Sequence, residues 1–252
     1  VEGKGIVIKS SREIELMREA GRVVAQVLER LKKEVAPGRK TGELDLIAAE
    51  EIARRGARAS FLGYRDYPAH ICTSVNNEVV HGIPGGRVLQ EGDIISLDVG
   101  AILEGFQGDA AITVGVGKVS EQAGRLLGVT QGALETAIRH CRRGQRLGDV
   151  SFAIQKYVEE RGFSVVREYS GHGIGRELHE EPQIPNFGLP GQGPLLRRGM
   201  TLALEPMVNA GGWRTRLDTN GWTVLTDDGG LSAHFEHTVA ITDGDAEVLT
   251  VL

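Results

Sequence analysis

The sequence predicts a mixed α/β (α+β) chain assembled from two related halves, and three observations predict it. Amphipathic helices alternate with short apolar strands, the order helix, helix, strand occurs twice, and landmark residues recur at a nearly constant offset. Gly38-x-x-x-Gly42 returns as Gly144-x-x-x-Gly148 and Arg55-Gly56 as Arg161-Gly162, each 106 residues later. Leu89-x-x-Gly92, leading into Leu97-Asp98, returns as Leu196-x-x-Gly199, leading into Leu204-Glu205, 107 residues later. The expectation is one domain over residues 1–252 with a pseudo-repeat, about 10–116 and 117–241.

The elements follow in order. Ser10-Ser11-Arg12-Glu13 has capping-box spacing, and Ile14, Met17, Val24, Val27, Leu28 and Leu31 then share one helical face until Pro37-Gly38. A second helix carries Leu44, Ile47, Ala48 and Ile52 and ends near Gly56. Residues 63–86 read as a loop. Residues 93–99 alternate as a strand, with Asp98 at its end, and a second strand around 110–116 returns after Glu104-Gly105, with Asp109 at its start. In the second half a helix near 120–142 presents Leu126, Leu127, Leu134, Ala137, Ile138 and Cys141. Another, from about Gly148, presents Val150, Ile154, Tyr157 and Val158.

Composition removes several classes of function. The 252 residues carry a formal net charge of −5, and Arg12, Arg18, Arg22 and Arg30 are interspersed with acids, which describes a solvated helix face. No DNA or other nucleic-acid partner is expected. No apolar run approaches the ~18–20 residues that span a bilayer. Val1-Glu2-Gly3-Lys4 lacks the apolar stretch of a secretory signal, and Cys72 and Cys141 form no Cys-x-x-Cys pair. A reducing cytoplasm is the expected location.

Five residues stand out by their surroundings. Asp98 follows Ile94-Ile95-Ser96-Leu97, Asp109 precedes Ala110-Ala111-Ile112, Glu205 follows Thr201-Leu202-Ala203-Leu204, and Glu236 precedes His237-Thr238-Val239. His172 lies between glycines in Gly171-His172-Gly173. Taken singly, an acid beside a strand is more often paired or exposed. Taken together, four carboxylates in apolar strands with few basic partners cost several kcal/mol unless something neutralises them. Two divalent cations would do so. An oxygen-rich set with one imidazole suits cobalt, manganese or iron better than a thiolate site does. Such dinuclear centres hold their ions ~3.5–4 Å apart and bridge a hydroxide nucleophile.

These residues, with Tyr67-Pro68 through Cys72, Asn77-Glu78-Val79-Val80-His81-Gly82-Ile83-Pro84, Gly171-His172-Gly173-Ile174-Gly175, His179-Glu180-Glu181-Pro182, Glu205-Pro206 and Glu236-His237-Thr238, resemble the type I methionine aminopeptidases, in their short bacterial form. The resemblance runs from about Ile6 to Val251. It implies a pita-bread fold, two pseudo-symmetric halves with a central antiparallel sheet covered by helices. One ion would be held by Asp109, His172, Glu205 and Glu236, the other by Asp98, Asp109 and Glu236, with Asp109 and Glu236 bridging. The implied reaction removes the initiator methionine from nascent or short peptides whose second residue is small, by attack of a metal-bridging hydroxide on the methionine carbonyl. Glu205 would handle the water's proton, His179 would hydrogen-bond the carbonyl oxygen, and His81 the scissile amide.

Tyr64, Tyr67, Cys72 and Trp222 match the family's methionine pocket, with Phe61 standing where cysteine is frequent and Leu178 where phenylalanine is frequent. The resemblance further implies N-terminal peptide substrates, ribosome association and a monomer. His70, His140, His234 and His237 read as structural or supporting, with His237 the one expected to orient a ligand. Two other readings stay open: a proline-specific peptidase of the same fold, and a binding protein that kept the fold without catalysis.

Overall fold

The computed structural model describes residues 5–252, so the reading of Val1–Lys4 as lacking a secretory signal lies outside the described residues. The first half runs α1 (Ser11–Glu34), α2 (Thr41–Arg54), β1 (Arg58–Ala59), a 3₁₀ turn at Tyr64–Asp66, β2 (Cys72–Val75), β3 (Glu78–Val80), β4 (Ile94–Leu103) and β5 (Phe106–Gly115). The second opens with α3 (Glu121–His140) and α4 (Leu147–Glu159). Short strands follow: β6 (Ser164–Val165), β7 (Ser170–Gly173), β8 (Glu180–Pro185), β9 (Thr201–Leu204) and β10 (Met207–Asn209). The chain ends with β11 (Thr215–Leu217), β12 (Val224–Thr226), β13 (Ser232–His234), β14 (Glu236–Ala240) and β15 (Glu247–Val248).

The capping box forms as its spacing predicts: the Ser10 hydroxyl accepts from the Glu13 amide while the Glu13 carboxylate accepts from the Ser10 amide. Met17, Val24, Val27, Leu28 and Leu31 are buried from there on, and Arg18, Arg22 and Arg30 pair with Glu15, Glu19 and Glu34 on the outer face. Helix α1 lies directly on β5. A Cβ at Gly108 would come 2.8 Å from the Gly21 amide nitrogen, so the close approach of helix to strand depends on the glycine at 108.

The nine-stranded sheet has the order β1-β4-β5-β14-β9-β7-β8, with β2 added beside β4 and β15 beside β14, and every pairing is antiparallel. The order is symmetric about the β5–β14 junction: β2-β4-β5 on one side mirrors β7-β9-β14 on the other. Beneath each half the helices bury a separate apolar core, one under α1 and α2, one under α3 and α4. Backbone details repeat between the halves. Gly38 and Gly144 both have positive φ, and their amides donate to the Leu89 and Leu196 carbonyls at 2.8 and 3.0 Å. Lys40 bridges Val88 as Arg146 bridges Leu195.

Three expectations need correction. Residues 63–86 are not a loop: they contain the 3₁₀ turn, β2 and β3. Polar and glycine-rich residues there conceal strands whose partners, β4 and β12, lie far away in sequence. Asp98 does not end its strand and Asp109 does not begin its own. Asp98 pairs with Cys72 on β2 and Ala111 on β5, and Asp109 sits opposite Gly100. The strands run on past both acids because neighbours on each side supply the ladder, which local alternation cannot report.

Candidate metal centre

All the residues singled out for chemistry line one cavity of about 140 Å³ between the halves: Asp98, Asp109, His172, Glu205, Glu236, His81, His179, Tyr64, Tyr67, Cys72 and Trp222, together with Phe61 and Leu178. Its floor is acidic. Asp98 projects from β4, Asp109 from β5, Glu236 from the first position of β14, and Glu205 follows β9 directly. Ligand atoms of Asp109, His172 and Glu236 lie within 4.8 Å of one another. The Asp109 backbone is clasped by Thr238, whose hydroxyl accepts from the Asp109 amide at 3.1 Å and donates to its carbonyl at 2.8 Å.

The floor is electrostatically unfinished. Burial pushes the Asp98 carboxyl up to about 7, and burial followed by repulsion from neighbouring carboxylates raises Asp109, Glu205 and Glu236 well above the usual range. Among the described residues, six buried side-chain polar atoms have no partner. Five of them belong to this floor and its rim: Asp98 Oδ1, Asp109 Oδ1, Glu236 Oε1 and both ring nitrogens of His234. Buried polar atoms are otherwise nearly always satisfied, so a concentration of orphans marks a place built for something else.

His172 is already oriented. Its Nδ1–H donates to the Gly173 carbonyl at 2.9 Å, which leaves the Nε2 lone pair facing the acids, 3.4 Å from Glu205 Oε1. Burial lowers its pKa to about 3, so the ring is neutral and able to ligate. The donor set therefore fits cations: four carboxylates, one neutral imidazole with a free lone pair, and oxygens without any other partner.

Two histidines stand over the floor. His179 stacks on Tyr64 with ring centroids 5.3 Å apart, and its Nδ1 meets the Tyr64 hydroxyl at 2.8 Å. Burial, then the Arg65 charge, lowers its pKa to about 4. His81 leaves β3 with φ 59°, a left-handed conformation that costs a non-glycine residue about 1–3 kcal/mol and is held only where the surroundings enforce it. Its ring meets Tyr169 and Trp222 edge-on at 6.0 and 6.3 Å, and burial lowers its pKa to about 4.

The remaining wall is apolar. Tyr67 gives its hydroxyl to the backbone of Gly82 at 3.0 Å and presents only its ring, edge-on to Trp222 at 5.0 Å and to Phe61 at 6.5 Å. Cys72 is a buried thiol pushed well up by burial and by Asp98, hence neutral. Leu178 closes the slot. A second, open trough of about 600 Å³ adjoins the cavity and shares Arg65, His172 and His179 with it.

These contacts amount to a buried, cation-seeking cluster between two like halves, with an apolar slot beside it. The sequence profile of metallopeptidase family M24 matches residues 15–243. The chain belongs to metallopeptidase family M24. Within that family its sequence is 53% identical to methionine aminopeptidase 1 of Bacillus subtilis strain 168 over 245 residues, covering 97% of this chain and 99% of that protein. It is 46% identical to methionine aminopeptidase of Escherichia coli K12, covering 98% and 94%. The crystal structure of methionine aminopeptidase from Thermotoga maritima superposes with a TM-score of 0.97 at 49% identity, covering 98% of this chain and all of that one. A prolidase from Pyrococcus furiosus shares the M24 fold alone, at a TM-score of 0.79, 20% identity and 98% and 66% coverage.

Sequence reading misplaced one supporting histidine. His237 points away from the acids and engages the Thr250 hydroxyl at 2.8 Å. His234 takes the place beside them, its Nε2 lying 3.8 Å from both Glu205 Oε2 and Glu236 Oε2. The signal was available, since residues two apart on a strand share a face: His234 goes with Glu236, and His237 opposes it. Arg65 at the cavity mouth was also missed, and no pattern in the sequence marks it.

Proposed function

We propose that this chain is a methionyl aminopeptidase, removing the N-terminal methionine from nascent or short peptides whose second residue is small. The observation that carries the proposal is one cavity in which an apolar slot ends on a cluster of buried, unsatisfied carboxylates, in a chain about half identical to named methionine aminopeptidases. Asp98, Asp109, His172, Glu205 and Glu236 would hold two divalent ions (cobalt, manganese or iron). When bound, these supply Lewis-acid polarisation of the scissile carbonyl and lower the pKa of an attacking water.

The other roles belong to the side chains. Phe61, Tyr67, Cys72, Leu178 and Trp222 offer an unbranched thioether an apolar, polarizable slot. Asp98, the acid whose strand neighbour is Cys72, lies where a free α-amine would be neutralised, which restricts cleavage to chain ends. Glu205 sits where it can accept the water's proton and hand it to the leaving amine. With the Tyr64 hydroxyl donating to Nδ1, His179 keeps a proton on Nε2 and donates it to the carbonyl oxygen as negative charge develops. His81 hydrogen-bonds the scissile amide. Residues after the cleavage point leave through the trough beside Arg65. Among the described residues, no helix is long and apolar enough to cross a membrane. Cytoplasmic peptides, including nascent chains met through ribosome association, are the proposed substrates of a monomeric enzyme with no DNA partner.

The test uses purified protein, metal content measured on the same sample, and a panel of peptides. Release of methionine from Met-Ala-Ser and Met-Gly peptides, with little from Met-Lys, is expected. Intact Met-Ala-Ser in the presence of bound Co²⁺ or Mn²⁺ would sink the proposal, and preferential cleavage of Xaa-Pro would replace it with the proline-specific reading.

A further inference from the structure

Each half of the molecule clasps one residue of the other. Thr238 on β14 holds both backbone groups of Asp109, and Thr113 on β5 holds both backbone groups of His234, accepting from its amide at 2.9 Å and donating to its carbonyl at 2.7 Å. Asp109 and Thr113 are four residues apart, as are His234 and Thr238. The strand register agrees: Leu97 pairs with Ile112 as Leu204 pairs with His237, so the pseudo-twofold that relates Leu97 to Leu204 passes through the Ala111–Glu236 pair and exchanges Asp109 with His234. The site-facing position that holds a carboxylate in the first half therefore holds an imidazole in the second.

That imidazole has no partner. His234 is 1% exposed, and neither ring nitrogen makes a hydrogen bond. Its Nε2 stands equidistant from Glu205 and Glu236, at 3.8 Å from one oxygen of each, about 0.8 Å beyond a normal N–H···O bond. We infer that His234 is a positioning residue for the metal centre, its Nε2–H donating to Glu205 and Glu236 and fixing the angle at which those two carboxylates face the ions. The inference rests on the aminopeptidase reading. An Nε2–H facing one oxygen of each carboxylate suits ionised acceptors, which hold a donor more strongly than neutral ones. Partners of this kind orient ligating groups, and their loss typically weakens metal binding about 10–100-fold.

The experiment combines two variants with one measurement on the unaltered protein. Mn²⁺ affinity is measured by calorimetry for wild type, H234L and H234Q, with thermal melts of the metal-free and loaded forms and the visible spectrum of the Co²⁺-loaded forms. In H234L, Mn²⁺ should bind about 10–100-fold more weakly and the Co²⁺ bands should shift. Metal-free H234L should melt no lower than wild type, because an unpartnered buried imidazole has been replaced by an apolar group. A merely structural histidine would give the opposite melt. H234Q keeps a donor and should recover most of the affinity. In Zn²⁺-loaded wild type, a two-bond ¹H–¹⁵N spectrum should show His234 as a single tautomer with a protected Nε2–H. That reading decides the matter if H234L does not fold. Unchanged Mn²⁺ affinity and Co²⁺ spectrum in H234L, or an Nε2 that is unprotonated or itself bound to Zn²⁺, would overturn the inference. Absence of Mn²⁺ binding by wild type would instead overturn the aminopeptidase reading beneath it.

Discussion

The two halves build the same scaffold and spend it differently. In the first, β4 turns directly into β5 through Glu104-Gly105, both in positive φ, and the hairpin carries Asp98 and Asp109 well inside paired strands. In the second, β9 reaches β14 only after the excursion over residues 205–235, which adds β10 to β13, Trp222 and His234. The short side chains therefore come from the rigid hairpin. The longer ones, Glu205 and Glu236, come from the ends of β9 and β14, where reach substitutes for backbone proximity. Symmetry supplies the positions, and the asymmetry of the insertion supplies Trp222 of the slot wall and the His234 imidazole. The acidic floor, drawn from both halves, should accordingly govern whether cations are held, and the histidines above it how substrate is turned over.

The sharpest way to break that division is Asp109→Ala. It should abolish binding of at least one ion and lower kcat/KM by about 10³-fold or more, the scale of losing a principal catalytic group; metal analysis beside a Met-Ala-Ser assay checks both. Retained metal with lost turnover would move Asp109 out of the holding role. His179→Ala should leave metal content unchanged and reduce kcat by about 10²–10³-fold with a smaller change in KM, as for removal of an oxyanion donor. Tyr64→Phe should do the same more mildly, since it removes only the hydroxyl that meets His179 Nδ1. Loss of metal in His179→Ala would blur the duties of the floor and of the histidines above it.

A pH experiment tests the hairpin in the metal-free state. The folded Asp98 carboxyl is raised to about 7 from a reference of 3.8, so its protonated form is favoured in the folded protein. That contribution is fully present below the reference value and is lost as pH rises through about 7. Melting temperature in chelator should fall between about pH 6.5 and pH 8, above the range in which the buried neutral rings of His81, His172, His179, His234 and His237 give the opposite slope, and added Mn²⁺ should remove the fall. A rise over that interval would mean that a cation from the side chains already neutralises the floor. The smallest effect belongs to the slot. Leu178→Ala enlarges it and should cost roughly 10–100-fold in kcat/KM for methionine peptides, with norleucine peptides affected alike.

Much of this was legible in the chain before folding was considered. The capping box at Ser10, both helical pairs and the offset between halves are local or repetitive signals, and each structural element they predict is present. That Asp98, Asp109, Glu205 and Glu236 would share one cavity was legible because a carboxylate in an apolar strand is costly wherever the strand goes. The strands at 72–75 and 78–80 were not, because their hydrogen-bonding partners lie on β4 and β12 and no short window contains them. Adjacency in sequence favours His237 as the ring beside Glu236, but adjacent residues on a strand face opposite sides, and His234 is the one that lies there.

By itself, then, the sequence determined the class of the fold, its duplication, and which side chains would be intolerable when buried without cations. Periodicity, capping and charge are properties of neighbouring residues and survive without coordinates. Only the tertiary structure decided where along β4 and β5 the acids sit, which histidine reaches them, and that Asp109 and His234 are mates across the β5–β14 junction. Those are outcomes of register between strands far apart in the chain, and register is set by the whole sheet rather than by any segment within it.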